Sequence, residues 1–153
     1  MRADTKDLMD RLLADDTLLL REDGRATADP TDPASTLSVT LALLTARDYA
    51  TAQTLLRWAL AFDPEHCRLL RRMTDITLLL GDHDGARRWA EQAIAIQPDD
   101  ADNHDNLAKL CIWVGTFADA EKAAERAVAL APHNADMARR LGEIRQRLAK
   151  AAS

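Results

Sequence analysis

Prolines stand at Pro30, Pro64, Pro98 and Pro132, each 34 residues after the one before. A fixed interval of this size constrains the chain more than any single motif, because it implies one supersecondary unit used several times. Laid over one another, the last three intervals give columns that agree in side-chain size as well as polarity. Ala52, Ala86 and Ala120 share one column, Ala59, Ala93 and Ala127 another, and Phe62, Ile96 and Leu130 a third. Val39, Met73 and Leu107 form a large apolar column, followed at once by the small Thr40, Thr74 and Ala108.

Each column has a physical reading. Apolar residues recurring at three- and four-residue spacing make two amphipathic helices per block, and the alanines let the two helices approach closely. Gly81 and Gly115 stand where a left-handed residue ends the first helix; Arg47 holds that place in the first block. Asp48, Asp82 and Thr116 follow as caps for the second helix, and proline closes the block because it cannot continue a helix. Composition agrees, since a chain 47% hydrophobic but only 4% aromatic, rich in alanine, leucine and arginine, favours helix. The acidic stretch Gly81 to Gly85 is not a calcium loop. Counting from Asp82, such a loop needs glycine sixth and glutamate twelfth, where this chain has Arg87 and Ala93. His83 shares a column with Tyr49 and Phe117 and is expected to pack at the turn.

These columns resemble the tetratricopeptide repeat (TPR) family over residues 33–66, 67–100 and 101–134, and the leucine–small pair returns at Leu141–Gly142. The resemblance implies an all-α, right-handed TPR solenoid of three helix-turn-helix repeats, with residues 135–153 as a C-terminal capping helix. Residues 1–32 do not follow the period. They read as an N-terminal helix over 4–22, carrying Leu8, Met9, Leu12, Leu13, Leu19 and Leu20, and a polar linker.

By the same resemblance, the first helices of the repeats line a concave groove that takes a peptide or helical segment of another protein. The groove positions are Leu37, Leu41 and Leu44, then Arg71, Asp75, Leu78 and Leu79, then Lys109, Ile112 and Trp113. Trp113 is the expected anchor, tryptophan being favoured at binding hot spots. The implied function is a non-catalytic protein–protein interaction module or adaptor. The alternative is a TPR-type chaperone of a bacterial secretion system, which small acidic members with a leading helix resemble. Some family members clamp the terminal carboxylate of chaperone tails with lysine, asparagine and arginine. Arg71, Asn106 and Arg140 match three clamp places, but Asp75 and Asp136 occupy the other two and repel a carboxylate, so that clamp is not expected.

Other chemistry finds little support. A net charge of −5 with both signs interspersed argues against nucleic acid, which calls for a clustered cationic surface. No run is apolar and long enough for a signal peptide or membrane span, so no membrane association and a cytoplasmic location are expected. His66, Cys67, His104 and Cys111 lie in packing columns, leaving zinc or enzymatic function as distant alternatives. No nucleophile has a histidine at a recognisable spacing and no phosphate loop exists; no catalytic residue, metal or cofactor is expected. Asp99, Asp100, Asp102 and Asp105 read as a helix cap and a solvated face. Thr51, Thr54, Trp58 and Ala61 are uncharged where later blocks carry Arg88, Glu91 and Gln92 or Lys122, Glu125 and Arg126. That bare convex face calls for a cover, either the N-terminal helix of the same chain or a homodimer formed through that helix or the Trp58 face.

Overall fold

The computed structural model describes residues 29–153; the expected helix over 4–22 lies outside them. Seven α-helices follow in order: α1 Pro33–Thr45, α2 Tyr49–Phe62, α3 Cys67–Leu79, α4 His83–Ile96, α5 Ala101–Val114, α6 Phe117–Leu130 and α7 Ala135–Ala152. No described helix is long and apolar enough to cross a membrane.

The helix starts follow from their capping residues. Asp32 accepts from the amides of Ala34 and Ser35, with Pro33 pre-set for the first helical position. Asp48 accepts from Thr51 N, Asp100 from Asp102 N, and Asn134 from Met137 N. Asp82 accepts from Gly85 N at 2.9 Å, so the acidic stretch is a helix start. His83 is exposed there and does not pack at the turn as its column suggested: the first residue of a capped helix points to solvent when no aromatic bulk draws it in. Thr116 also departs from expectation. It makes no side-chain cap; its hydroxyl donates instead to Cys111 O at 3.4 Å. The turns need a left-handed residue, and Gly81 and Gly115 supply it at φ 87° and 91°. Arg47 adopts φ 59° in the same place, a conformation that costs a residue with a Cβ about 1–2 kcal/mol.

Each helix packs on the next, and α3 also touches α1 and α5, so the first helices of successive pairs lie side by side. All six alanines of the two repeating columns are fully buried, which is what lets paired helices close on each other. One core gathers Leu56, Leu69, Leu70, Met73 and Ile76 around Ala52, Ala59 and Ala93. A second gathers Leu110, Cys111, Leu141 and Ile144 around Ala86, Ala108 and Ala120. At full burial each such leucine or isoleucine contributes roughly 1.5–3 kcal/mol. The last helix is held by buried Met137, Leu141 and Ile144, by Arg145 bonding to Glu121 and Glu125 of α6, and by Arg147 over the Phe117 ring at 5.5 Å.

A buried polar tie joins three helices. Asn103, fully buried on α5, donates through Nδ2 to Ala93 O at 3.0 Å and Gln97 O at 3.1 Å at the end of α4. Its Oδ1 accepts from Arg71 Nη1 of α3 at 2.6 Å. Both carbonyls also accept a backbone N–H, from Gln97 and Asp100, so the Asn103 amide adds a second donor to each.

Trp58 stands on the side of α2 that lacks charge. It is 4% exposed, and Leu55 is buried as well. Transferring an indole out of water is favourable enough to decide its position, although its Nε1 is buried without a hydrogen-bond partner.

Candidate functional site

The first-helix residues singled out in the sequence separate into three groups. Leu37, Arg71, Asp75 and Lys109 come together around a pocket of about 210 Å³ between α3 and α5. Leu41, Leu79 and Trp113, one turn further along their helices, are exposed, Trp113 at 64% and Leu41 at 55%. Leu44, Leu78 and Ile112 are half-buried and pack against the two cores. These last three serve the fold first, because apolar groups on the inner side of a helix end find core neighbours within reach.

The pocket is lined by the same four columns of two neighbouring helices: Arg68, Arg71, Arg72 and Asp75 from α3, with Asp102, Asp105, Asn106 and Lys109 from α5. Much of this charge is already paired. Arg71 Nη1 lies 3.2 Å from Asp100 Oδ2 besides its bond to Asn103. Asp105 was expected on a solvated face but is 6% exposed; it pairs with Lys109 Nζ at 3.0 Å and with Arg140 of α7. Two cations around one carboxylate offset much of its desolvation.

Three polar groups of the pocket-lining residues stay without a partner in the described structure. The Asp75 carboxylate receives no hydrogen bond and no ion pair. Burial pushes its carboxyl above the ordinary carboxylate range, while Arg72, Lys109 and Arg71 pull it down. Arg72 Nε and Asn106 Nδ2 are both buried donors with no acceptor. Sequence reasoning did not single out Arg72 at all and took Asn106 only as a clamp candidate. The signal available was their shared column, since 72 and 106 are 34 apart.

The histidines and cysteines do not gather. Cys67 Sγ donates towards Ala93 O, Cys111 is buried in the second core with its thiol pushed up by burial, and His104 Nε2 bonds Pro98 O at 2.7 Å. His66 caps α3 through Leu69 N. Among the described residues no three His, Cys, Asp or Glu side chains converge as metal ligands.

Residues 43–111 match the family model described as Tetratricopeptide repeat. These are tetratricopeptide repeats. The structural neighbours are TPR domains too. The Sgt2 TPR domain from Aspergillus fumigatus superposes at TM-score 0.71 with 20% identity, over 79% of this chain and 83% of that one. The first TPR domain of human RPAP3 gives 0.70 at 18% identity, over 80% and 96%. The first TPR of Spaghetti (RPAP3), bound to the HSP90 peptide SRMEEVD, gives 0.67 at 18% identity, over 82% and 99%. At such identities the TPR likeness is one of fold. No curated protein sequence gives a significant match.

Proposed function

We propose that the chain is a non-catalytic adaptor that takes a peptide or helical segment of another protein along the face of its first helices. The observation that carries this reading is Trp113, a tryptophan 64% exposed on the same helix as the pocket residues Asn106 and Lys109. Leu79, in the equivalent column of the preceding pair, is exposed with it, and Leu41 stands on the first helix. Bare large apolar groups aligned across successive helices mark an interaction surface more often than a free one. Packed helices lie about 8–10 Å apart, so a partner reaching two of these residues needs its own apolar side chains at that spacing. That is about three residues along an extended segment or about seven along a helix.

The Spaghetti domain, which holds an HSP90 peptide, supports peptide binding as a use of this fold. An acidic peptide of that kind is not the ligand proposed here. Arg71 and Arg140 are engaged with Asp100 and Asp105, and Asp75 stands unpaired among the pocket residues. The test is Trp113→Ala with a partner captured by the full chain. Affinity should fall by about 2 kcal/mol or more, roughly thirtyfold, with helical content unchanged. Loss of folding would assign Trp113 to the core, and undiminished binding would move the site elsewhere.

A further inference from the structure

Column by column, α2 is more covered than the helices that take its place later in the array. Thr54, Trp58 and Ala61 stand four and three residues apart, on one stripe of the helix. Thr54 and Ala61 are half-buried and Trp58 is 4% exposed. Their counterparts are all exposed: Arg88 and Lys122, Gln92 and Arg126, Ala95 and Ala129. Thr51, near the start of α2, shows no such difference, being half-buried against a buried Gly85 and an exposed Asp119. The described neighbours do not account for the contrast. Helix α2 packs on α1 and α3 just as α4 packs on α3 and α5, and α6 on α5 and α7. Among the described residues neither core gathers Leu55 or Trp58. A tryptophan is also larger than glutamine, so on an open stripe it would show more surface, not less. Equal surroundings leave this stripe open twice and closed once.

A single copy of the chain closes it, which points to the chain's own residues outside the described range. The described chain begins at Asp29, whose carbonyl accepts from Asp32 N at 3.0 Å and Thr36 Oγ1 at 3.2 Å. It is therefore fixed at the start of α1. A turn of three residues joins α1 to α2, and so short a connection sets the two helices antiparallel. The start of α1 thus lies beside the end of α2, where Trp58 and Ala61 stand. In the preceding segment Leu8, Met9, Leu12, Leu13, Leu19 and Leu20 fall within about 140° of one another at 100° per residue. A helix over 4–22 is about 28 Å long, and the residues joining it to Asp29 reach about 20 Å when extended. Two other seats stand open. Leu41 in the groove is 55% exposed, and Ala42 on the free edge of α1 is exposed although Ile76 and Leu110 of its column are buried. A segment lying in the groove would cover Leu41, and a fourth helix pair would cover Ala42.

We infer that residues 4–22 form an amphipathic helix docked by its leucines along the Thr54, Trp58 and Ala61 stripe of α2 in the same chain. It braces the outer side of the first pair and leaves the groove to a partner, and the inference does not depend on the adaptor reading. Amide hydrogen exchange of the full chain tests it. Residues 8–20 should exchange at least about tenfold more slowly than a free chain, and light scattering should give a monomer. Thr54→Lys with Trp58→Arg gives α2 the side chains that Lys122 and Arg126 place in the same columns, so the array keeps a fitting surface. In that variant the protection of residues 8–20 should vanish while α3 to α6 stay protected. If the variant loses protection throughout, Leu12→Asp, which leaves every described residue in place, is read in the same way. Free exchange of residues 8–20 in the unmodified chain overturns the inference, as does protection that survives the substitutions. A dimer that falls to monomer in the variant also overturns it, assigning the cover to a second copy. The Trp113→Ala result is independent of all these outcomes.

Discussion

Asn103→Leu is a direct test of what holds the second and third helix pairs together. Leu69 occupies the same column one repeat earlier and is fully buried, so a leucine at 103 is matched in size and leaves no large cavity. The change removes two neutral hydrogen bonds, to Ala93 O and Gln97 O, and one from the Arg71 guanidinium. At about 1 kcal/mol for each neutral bond and about 1.5–3 for the charged one, the loss is roughly 3.5–5 kcal/mol. Burying the leucine returns about 1.5–3. The net is a destabilisation of about 0.5–3.5 kcal/mol, which at about 2–4 °C for each kcal/mol in a chain of this size is several degrees at mid-range. Urea unfolding followed by far-ultraviolet circular dichroism measures it. A double-mutant cycle with Arg71→Met should show a coupling of about 0.5–3 kcal/mol. If Asn103→Leu is as stable as the parent, or the coupling is nil, the tie contributes nothing and apolar packing alone sets the joint.

Arg47→Gly should stabilise the protein by about 1 kcal/mol, read as a raised urea midpoint, because it removes a side chain from a left-handed turn at φ 59°. Asp75→Asn should raise stability at neutral pH. The folded protein binds a proton at Asp75 more readily than the unfolded chain, whose value is near 3.8, so wild-type stability falls as pH rises from that value through the higher folded one. The advantage of the variant should therefore vanish below the window, and melting curves from acid to neutral pH that run parallel would refute it. Deleting residues 135–153 strips the cover from the core beside Met137, Leu141 and Ile144 and should cause aggregation or a large drop in melting temperature; an unchanged melt would mean that α7 does not support the fold.

The period in the sequence reaches far into the structure. Helices α1, α3, α5 and α7 begin at Pro33, Cys67, Ala101 and Ala135, 34 residues apart, and the alanine columns are fully buried. Steric rules of this kind are local, so a column of small or left-handed residues carries them openly. Asn103 and Asp105 were not legible in the same way. Both look like members of an acidic, solvated helix start, and only the position of Arg71 and Arg140, 32 and 35 residues away, makes them internal. Lack of charge on one side of α2 says that the side avoids water, as the burial of Trp58 agrees, but it does not say what covers it. At the candidate site the groove columns gave Leu37, Arg71, Asp75 and Lys109 of the pocket lining but not Arg72, and the unsatisfied state of Arg72, Asp75 and Asn106 depends on which neighbours have already been taken.

The pairing of Arg140 with Asp105 has a consequence for how the molecule opens. In a stacked array the end unit lets go first, since it has a neighbour on one side only. When α7 lifts, Asp105 loses Arg140 and must share Lys109 alone, so the carboxylate draws that lysine inward or admits water. The pocket wall on α5 is then rearranged by an event at the chain's end. Fraying of the last helix and slackening of the pocket are two readings of one equilibrium, and a bound segment that needs the wall in place would slow both.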